Sequence, residues 1–155
     1  MLNVHTPYEK LFRRTYDADY DFTGVSTGQW VKIEGDVVQK VADGDSLTNS
    51  NLKLILSRVS SDGSIYEGHD TASAGTVTVI EGFGAVYTVD GEGAANDIAE
   101  NDLVEVGSSA AGGNLGKLIK VTGAGNHQVV GRCISGVSGD ANKQIQILSP
   151  YVKTI

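Results

Sequence analysis

Cysteine and long apolar runs are scarce in this chain of 155 residues. Cys133 is its single cysteine, so the chain can form neither an internal disulfide nor a thiolate zinc cage. No apolar run approaches the roughly 20 residues of a membrane helix, and the N-terminal segment lacks the basic start and apolar core of a signal peptide. We therefore expect a protein made in a reducing cytoplasm, with no membrane partner.

Positive charge is also in the minority. The 12 Lys and Arg residues stand against 19 Asp and Glu residues, which gives a formal net charge of -7. Affinity for nucleic acid depends largely on Lys and Arg displacing the counterions of phosphates. This charge balance predicts that nucleic acid is not a partner.

Glycine, by contrast, is abundant, with 20 residues among 155, well above the usual share of about 7%. Short apolar segments alternate with glycine-rich breaks, which is typical of strands joined by tight turns. The predicted strands are Trp30–Glu34, Asp36–Val41, Leu52–Val59, Ile65–Glu67, Thr76–Ile80, Ala85–Val89, Asp102–Val106, Lys117–Val121, Val129–Ile134 and Lys143–Leu148. Because an open sheet leaves unpaired edges, this spacing predicts an all-β fold closed as a small β-barrel or β-sandwich.

The first 28 residues differ from the rest, since they concentrate aromatic side chains among charged ones. Such a segment is too polar to form a core alone, yet its aromatic groups are of the kind that anchor interfaces. We therefore predict an extended docking arm over residues 1–28 and a β-rich body over residues 29–155. The candidate partner-binding residues are Tyr8, Phe12, Arg13, Arg14, Tyr16, Tyr20, Phe22 and, at the start of the body, Trp30.

One short helix is predicted within the arm. Thr6 and Glu9 have the spacing of a capping box, and Pro7 occupies the first helical position. This pattern predicts a helix from Pro7 to about Arg14, which would depend on packing because so short a helix is marginal alone.

One serine motif is compatible with a hydrolase. Gly24 to Gly28 match the G-x-S-x-G nucleophile elbow by letter, but that elbow needs a preceding strand and a following helix, and neither is predicted. A glycine-flanked loop is the favoured interpretation. A small serine hydrolase that uses Ser26 stays open as an alternative.

The remaining chemistry-bearing residues also favour structural roles. Asp17 to Asp21 open like a calcium loop, but Phe22 and Gly28 stand where that loop needs glycine and glutamate. His127 and Cys133 share a predicted strand without an orienting partner, so a core cysteine near a loop histidine is favoured over a catalytic pair. A further acidic cluster is interpreted as solvated surface: Glu92, Asp97, Glu100, Asp102 and Glu105. We predict no catalytic residues, no cofactor and no metal site.

The last third of the chain resembles the head decoration, or cement, proteins of tailed bacteriophages. The resemblance lies between Ile98 and Leu148, in the segments IAENDLVEVG, GKLIKV, HQVVGRCISG and KQIQIL. It implies a β-tulip-like body without enzymatic activity, located on the exterior of the capsid in the virion and made in the cytoplasm of the host bacterium. It also implies binding to the major capsid protein, clamping of neighbouring subunits, and assembly as a homotrimer.

Two other classes of β-protein stay open at this point. One is a phage tail, fibre or baseplate module, and the other is a carbohydrate-binding β-module. A carbohydrate-binding module would display an exposed aromatic platform in a concave site.

Overall fold

The computed structural model contains twelve β-strands and one 3-10 turn among the residues that it describes. It describes residues 3–18, 28–48, 51–59, 65–66, 76–88, 92–93, 95–140 and 142–155. The strands are β1 (Asn3–Val4), β2 (Arg13–Ala18), β3 (Trp30–Glu34), β4 (Val37–Gln39), β5 (Leu52–Val59), β6 (Ile65–Tyr66), β7 (Thr76–Ile80), β8 (Val86–Thr88), β9 (Leu103–Val106), β10 (Leu118–Lys120), β11 (Asn126–Ser135) and β12 (Gln144–Thr154). The predicted all-β class is confirmed.

Five strands close into a barrel in the order β3-β4-β2-β7-β5, because β3 also pairs with β5. β2 runs parallel to β4 and antiparallel to β7. This strand from the N-terminal segment is therefore one of the five strands of the barrel wall. β6 extends the sheet by pairing with the far end of β5. Closure leaves these five strands without a free edge along their paired lengths.

The second sheet has the order β1-β8-β12-β11-β9-β10. Its centre is the long antiparallel hairpin of β11 and β12, in which the register shifts between Val129 and Gly131. Val129 and Val130 are both buried at this bulge, as expected where an extra residue interrupts the alternation of a strand. β9 shows the regular alternation instead, with Val104 and Val106 buried.

Two apolar cores share one wall of the barrel. The barrel interior is filled by Tyr16, Val31, Val38, Ile55, Val77 and Val79. The larger core lies between the barrel and the second sheet. It contains the sequence neighbours of Val31, Ile55 and Val79, which are Trp30, Leu54 and Ile80. β3, β5 and β7 are therefore buried on both faces at these positions, which explains their consecutive apolar residues.

Trp30 joins the barrel to the second sheet through backbone and side chain. Its amide N–H donates to the carbonyl of Gly116 at 2.8 Å, and its indole Nε1–H donates to the Tyr87 hydroxyl at 3.2 Å. Gly116 has a φ of 68°, and a Cβ at this residue would lie 2.7 Å from the Trp30 carbonyl oxygen. The close approach therefore requires glycine at position 116.

The predicted helix from Pro7 to Arg14 is wrong. A single 3-10 turn covers Tyr8–Lys10, closed by the Lys10 N–H on the Pro7 carbonyl at 2.8 Å, and β2 begins at Arg13. The capping pattern starts a turn, but a helix of two turns is marginal in isolation. Pairing with β7 and burial of Tyr16 in the barrel favour the extended chain instead.

The predicted separation of an N-terminal arm is also corrected for the residues described. β1 pairs with β8 in the second sheet, and β2 lies between β4 and β7 in the barrel. Residues 3–18 thus contribute strands to both sheets, and Leu11 and Tyr16 from this segment are buried in the two cores. The proposed boundary at residue 28 does not separate this segment from the body.

Gly116→Ala should destabilise the protein more than Gly123→Ala. Both glycines have positive φ, but a Cβ at Gly123 would meet nothing within 4 Å. Left-handed strain costs about 1–2 kcal/mol at either position, and crowding against Trp30 adds about 1–3 kcal/mol at position 116 alone. Urea unfolding of the two variants measures the difference, and equal losses would contradict the close approach.

Candidate partner-binding surface

Two phenylalanine side chains form the main exposed aromatic feature among the described residues. Phe12 is 75% exposed and Phe83 is 70% exposed. They lie beside one cleft of about 200 Å³, whose other lining residues are Thr6, Lys10, Leu11, Ile80, Gly82, Gly84 and Ala85. We call these two rings and the cleft the Phe12–Phe83 surface.

The backbone under the Phe12–Phe83 surface is fixed by neighbouring strands. Leu11 is buried in the larger core, and the Phe12 carbonyl accepts the Glu81 N–H at 2.8 Å. Gly82 lets the two segments approach, since a Cβ there would lie 3.0 Å from the Phe12 Cβ. The rings therefore project from a rigid base, which lowers the ordering cost of binding.

The chemistry of this surface suits contact with a partner. Phe12 and Phe83 offer apolar area, and Lys10 adds a cation at the rim of the cleft. Aromatic residues are enriched among the residues that dominate binding energies at interfaces. Sequence analysis identified Phe12 as a candidate but did not select Phe83, whose position beside Phe12 depends on the pairing of β2 with β7.

Tyr16 lies in the barrel interior and not on this surface. Its hydroxyl donates to the Glu81 carboxylate, and burial followed by this hydrogen bond raises the pKa of Tyr16 to about 12. The Arg14 guanidinium lies 4.6 Å from the centre of the Tyr16 ring and pairs with Asp36 at 3.5 Å. Because its ring is buried, the prediction that Tyr16 contacts a partner is corrected.

The other predicted contact residues have different positions. Trp30 is 4% exposed and belongs to the core, so its assignment to an external contact is corrected as well. Arg13 and Arg14 are exposed on β2. The backbone of Tyr8 begins the 3-10 turn, and its side chain lies outside the described part of the chain. Tyr20 and Phe22 lie outside the described residues.

The acidic cluster divides into separate ion pairs. Asp102 contacts the Lys120 ammonium at 2.9 Å, and Glu105 contacts His127 Nδ1 at 3.0 Å. Within the described ranges, no three His, Cys, Asp or Glu side chains converge on a point that could hold a metal ion. These carboxylates stabilise different parts of the second sheet.

His127 and Cys133 have unrelated surroundings, although they share β11. Cys133 is fully buried in the larger core, where burial raises the pKa of its thiol, and the thiol donates to the Ser135 carbonyl at 3.4 Å. His127 contacts Glu105 outside that core. The structure does not bring them together as a reactive pair, and Ser26 lies outside the described residues.

A buried polar cluster was missed by sequence analysis. The Lys143 side chain is completely buried, and its ammonium donates to both Glu92 carboxylate oxygens, at 2.8 and 2.7 Å. It also donates to the Asn96 side-chain oxygen at 2.9 Å and to the Asn96 backbone carbonyl at 3.2 Å. Glu92 was interpreted as solvated surface, which is wrong because its side chain is 9% exposed. Lys143 is about 50 residues away from both partners in sequence, so no local sequence pattern indicates the cluster.

Comparisons with family models, curated proteins and solved structures give no match for this chain. In the part of the chain that the structure describes, no helix is long and apolar enough to cross a membrane.

The contact between His127 and Glu105 should make stability depend on pH. Hydrogen bonding to Glu105 is the largest cause raising the pKa of His127, with burial and Lys153 opposing it. A raised pKa means that the stabilising contribution is complete below the unfolded value of about 6.5 and is lost as the pH rises through the folded value. Wild type should therefore exceed His127→Gln in melting temperature by more at about pH 5.5 than at about pH 8.5.

Glu105→Gln is the matched control for this effect. It removes the carboxylate but keeps the imidazole, so the NMR titration midpoint of His127 should fall toward its ordinary value. An unchanged midpoint would contradict the assigned cause.

Proposed function

We propose that this chain is a virion structural protein that decorates the head of a tailed bacteriophage. It binds the exterior of the capsid, contacts the major capsid protein and clamps neighbouring subunits. The resemblance between Ile98 and Leu148 supports this assignment. The structural observation that carries it is the Phe12–Phe83 surface, an exposed aromatic pair on a rigid base.

The connection between the two sheets supports the role of a clamp. A closed barrel and a second sheet share one apolar core, and Trp30 connects them by backbone and side-chain hydrogen bonds. The Phe12–Phe83 surface is attached to this core by the buried Leu11, and to the residue after β7 by the hydrogen bond from the Glu81 N–H to the Phe12 carbonyl. This proposal assigns binding and not a catalysed reaction to the chain.

Self-association is the second part of the proposal. The end of β12 and the residue that follows it expose three apolar side chains, with Tyr151 41%, Val152 54% and Ile155 52% exposed. Burial of such side chains against a second copy would remove them from water and favour a homotrimer. Sedimentation of the purified protein tests this, and a monomer at all concentrations would contradict a preformed trimer.

Phe12→Ala and Phe83→Ala should each weaken capsid binding by about tenfold, as expected for aromatic anchors worth more than about 1 kcal/mol. The assay mixes purified protein with expanded capsids that lack it and measures occupancy by co-sedimentation. Deletion of residues 1–28 is not a useful test, because it removes β2 from the barrel.

Val137→Ala is the matched control. Val137 is also an exposed apolar side chain, at 65%, but it lies in the loop between β11 and β12 and outside the Phe12–Phe83 cleft. The capsid occupancy of the Val137→Ala variant should equal that of wild type. Unchanged binding by a folded Phe12→Ala/Phe83→Ala double variant would overturn the assignment of this surface.

A glycan array with the same variants separates this proposal from a carbohydrate-binding module. Binding of wild type to a glycan, lost in the double variant, would assign the aromatic pair to sugar stacking and contradict the capsid proposal.

A further inference from the structure

The buried cluster of Glu92, Asn96 and Lys143 combines a nucleophile, an electrophile and a proton carrier. Lys143 Nζ lies 2.9 Å from Asn96 Oδ1 and 2.7 Å from Glu92 Oε2. The amide carbon Cγ of Asn96 is bonded to Oδ1 and is the carbon that the amine would attack. A primary amine held against a carboxamide in this way has the positional advantage of an intramolecular reaction.

The amine and the carboxylate are buried, whereas Asn96 is half-buried. Lys143 is 0% exposed, and the side chain of Glu92 is 9% exposed. Glu92 Oε1 also accepts the Ile98 backbone N–H at 3.0 Å, which fixes the carboxylate. A Cβ at Gly136 would lie 2.7 Å from Lys143 Cγ, so the lysine stem packs directly against glycine.

The Asn96 backbone is fixed on both sides as well. Its N–H donates to the Gly93 carbonyl at 3.0 Å, and its carbonyl accepts the Gly139 N–H at 2.9 Å as well as the Lys143 ammonium. Asn96 has a φ of 46°, a conformation that Asn adopts more readily than most residues. The carboxamide is therefore presented to Lys143 by a defined backbone and not by a free loop.

We propose that Lys143 and Asn96 condense to an intramolecular isopeptide bond, with Glu92 as the proton carrier. The Glu92 carboxylate removes a proton from the Lys143 ammonium, and the resulting amine attacks Asn96 Cγ. The tetrahedral adduct collapses when Glu92 returns its proton to Nδ2 and the C–Nδ2 bond breaks. One N–C bond forms, one C–N bond breaks, and the ammonia released takes up the second proton of the attacking nitrogen and leaves as ammonium, while Glu92 ends as a carboxylate.

No oxidant, metal or additional reactant enters this balance. The charge is also conserved, because the lysine ammonium is replaced by a free ammonium ion. The Glu92 carboxylate, which contacts the Lys143 ammonium through both oxygens, is the group that takes up and returns the proton. The same carboxylate then acts in turn as base and acid, which is the usual pattern of general acid–base catalysis.

The bond would join two segments that the sequence separates. Asn96 belongs to the loop before β9, and Lys143 directly precedes β12 at the centre of the second sheet. A covalent connection between them closes a long loop and restricts the unfolded chain, as a disulfide does in proteins with paired cysteines. This inference does not depend on the proposed capsid role.

Intact mass spectrometry of the purified full-length protein tests the proposal. Wild type should weigh less than its sequence mass by one ammonia molecule. Tryptic mapping should show a branched peptide that joins the segments of Asn96 and Lys143, with no cleavage after Lys143. A folded wild type at its full sequence mass after prolonged incubation at neutral pH would overturn the proposal, as would a mass loss located in a linear peptide.

Three variants separate the chemistry from a structural ion pair. Lys143→Arg keeps a cation beside Glu92 but lacks the amine nucleophile, and Asn96→Ala lacks the electrophile, so both should retain their full sequence masses. Glu92→Gln keeps both reacting groups and should lose the condensation by loss of the proton carrier. Condensation at an undiminished rate in Glu92→Gln would overturn the role of Glu92.

Lys120→Arg is the matched control. Lys120 pairs with Asp102 at 2.9 Å, so this variant also exchanges a paired lysine in the second sheet while leaving the three reacting groups intact. It should lose one ammonia as wild type does. Loss of the mass change in this control would show that the readout does not report on the Lys143 site and would count against the proposal.

Discussion

Burial of one barrel wall on both faces is the constraint on which the rest of this structure depends. β3, β5 and β7 contribute apolar residues to the barrel interior and, at adjacent positions, to the core beneath the second sheet. Neither core is complete without this wall. The Trp30 indole bonded to Tyr87 and the Trp30 backbone bonded to Gly116 then set how closely the two sheets approach.

Ion pairs connect separate segments of the second sheet. Lys143, Lys120 and His127 each contact a carboxylate from a different segment. A chain with an acidic excess has carboxylates available for such pairs, but a buried ion pair is favourable only when its remaining hydrogen-bonding groups are satisfied. Lys143 meets that condition with four acceptor contacts to Glu92 and Asn96.

The strands were predictable from sequence because their apolar residues are local signals. The predictions for Trp30–Glu34 and Thr76–Ile80 coincide with β3 and β7, whereas the strand predicted to end at Leu148 continues as β12 to Thr154. Leu54 and Ile55 show the limit of periodicity, because both of these adjacent residues are buried although strand alternation places them on opposite faces. Burial of both strand faces depends on the second sheet, and the local sequence of a strand does not show that such a sheet covers it.

The candidate sites were less predictable because they depend on long-range pairing. Phe12 and Phe83 become neighbours only through the contact between the segment before β2 and the turn after β7. The aromatic content of the first 28 residues indicated binding, but Tyr16 completes the barrel interior instead. Composition alone does not distinguish an aromatic residue that anchors a partner from one that fills an internal core.

The position of β2 has a consequence for the order in which the chain folds. β2 begins at Arg13, yet its antiparallel neighbour β7 begins at Thr76, so the barrel cannot close during synthesis until about half of the chain has left the ribosome. Closure of distant segments is entropically costly and slows folding. Until then the edge of β2 that pairs with β7 stays open, which exposes the nascent chain to intermolecular strand pairing before the barrel exists.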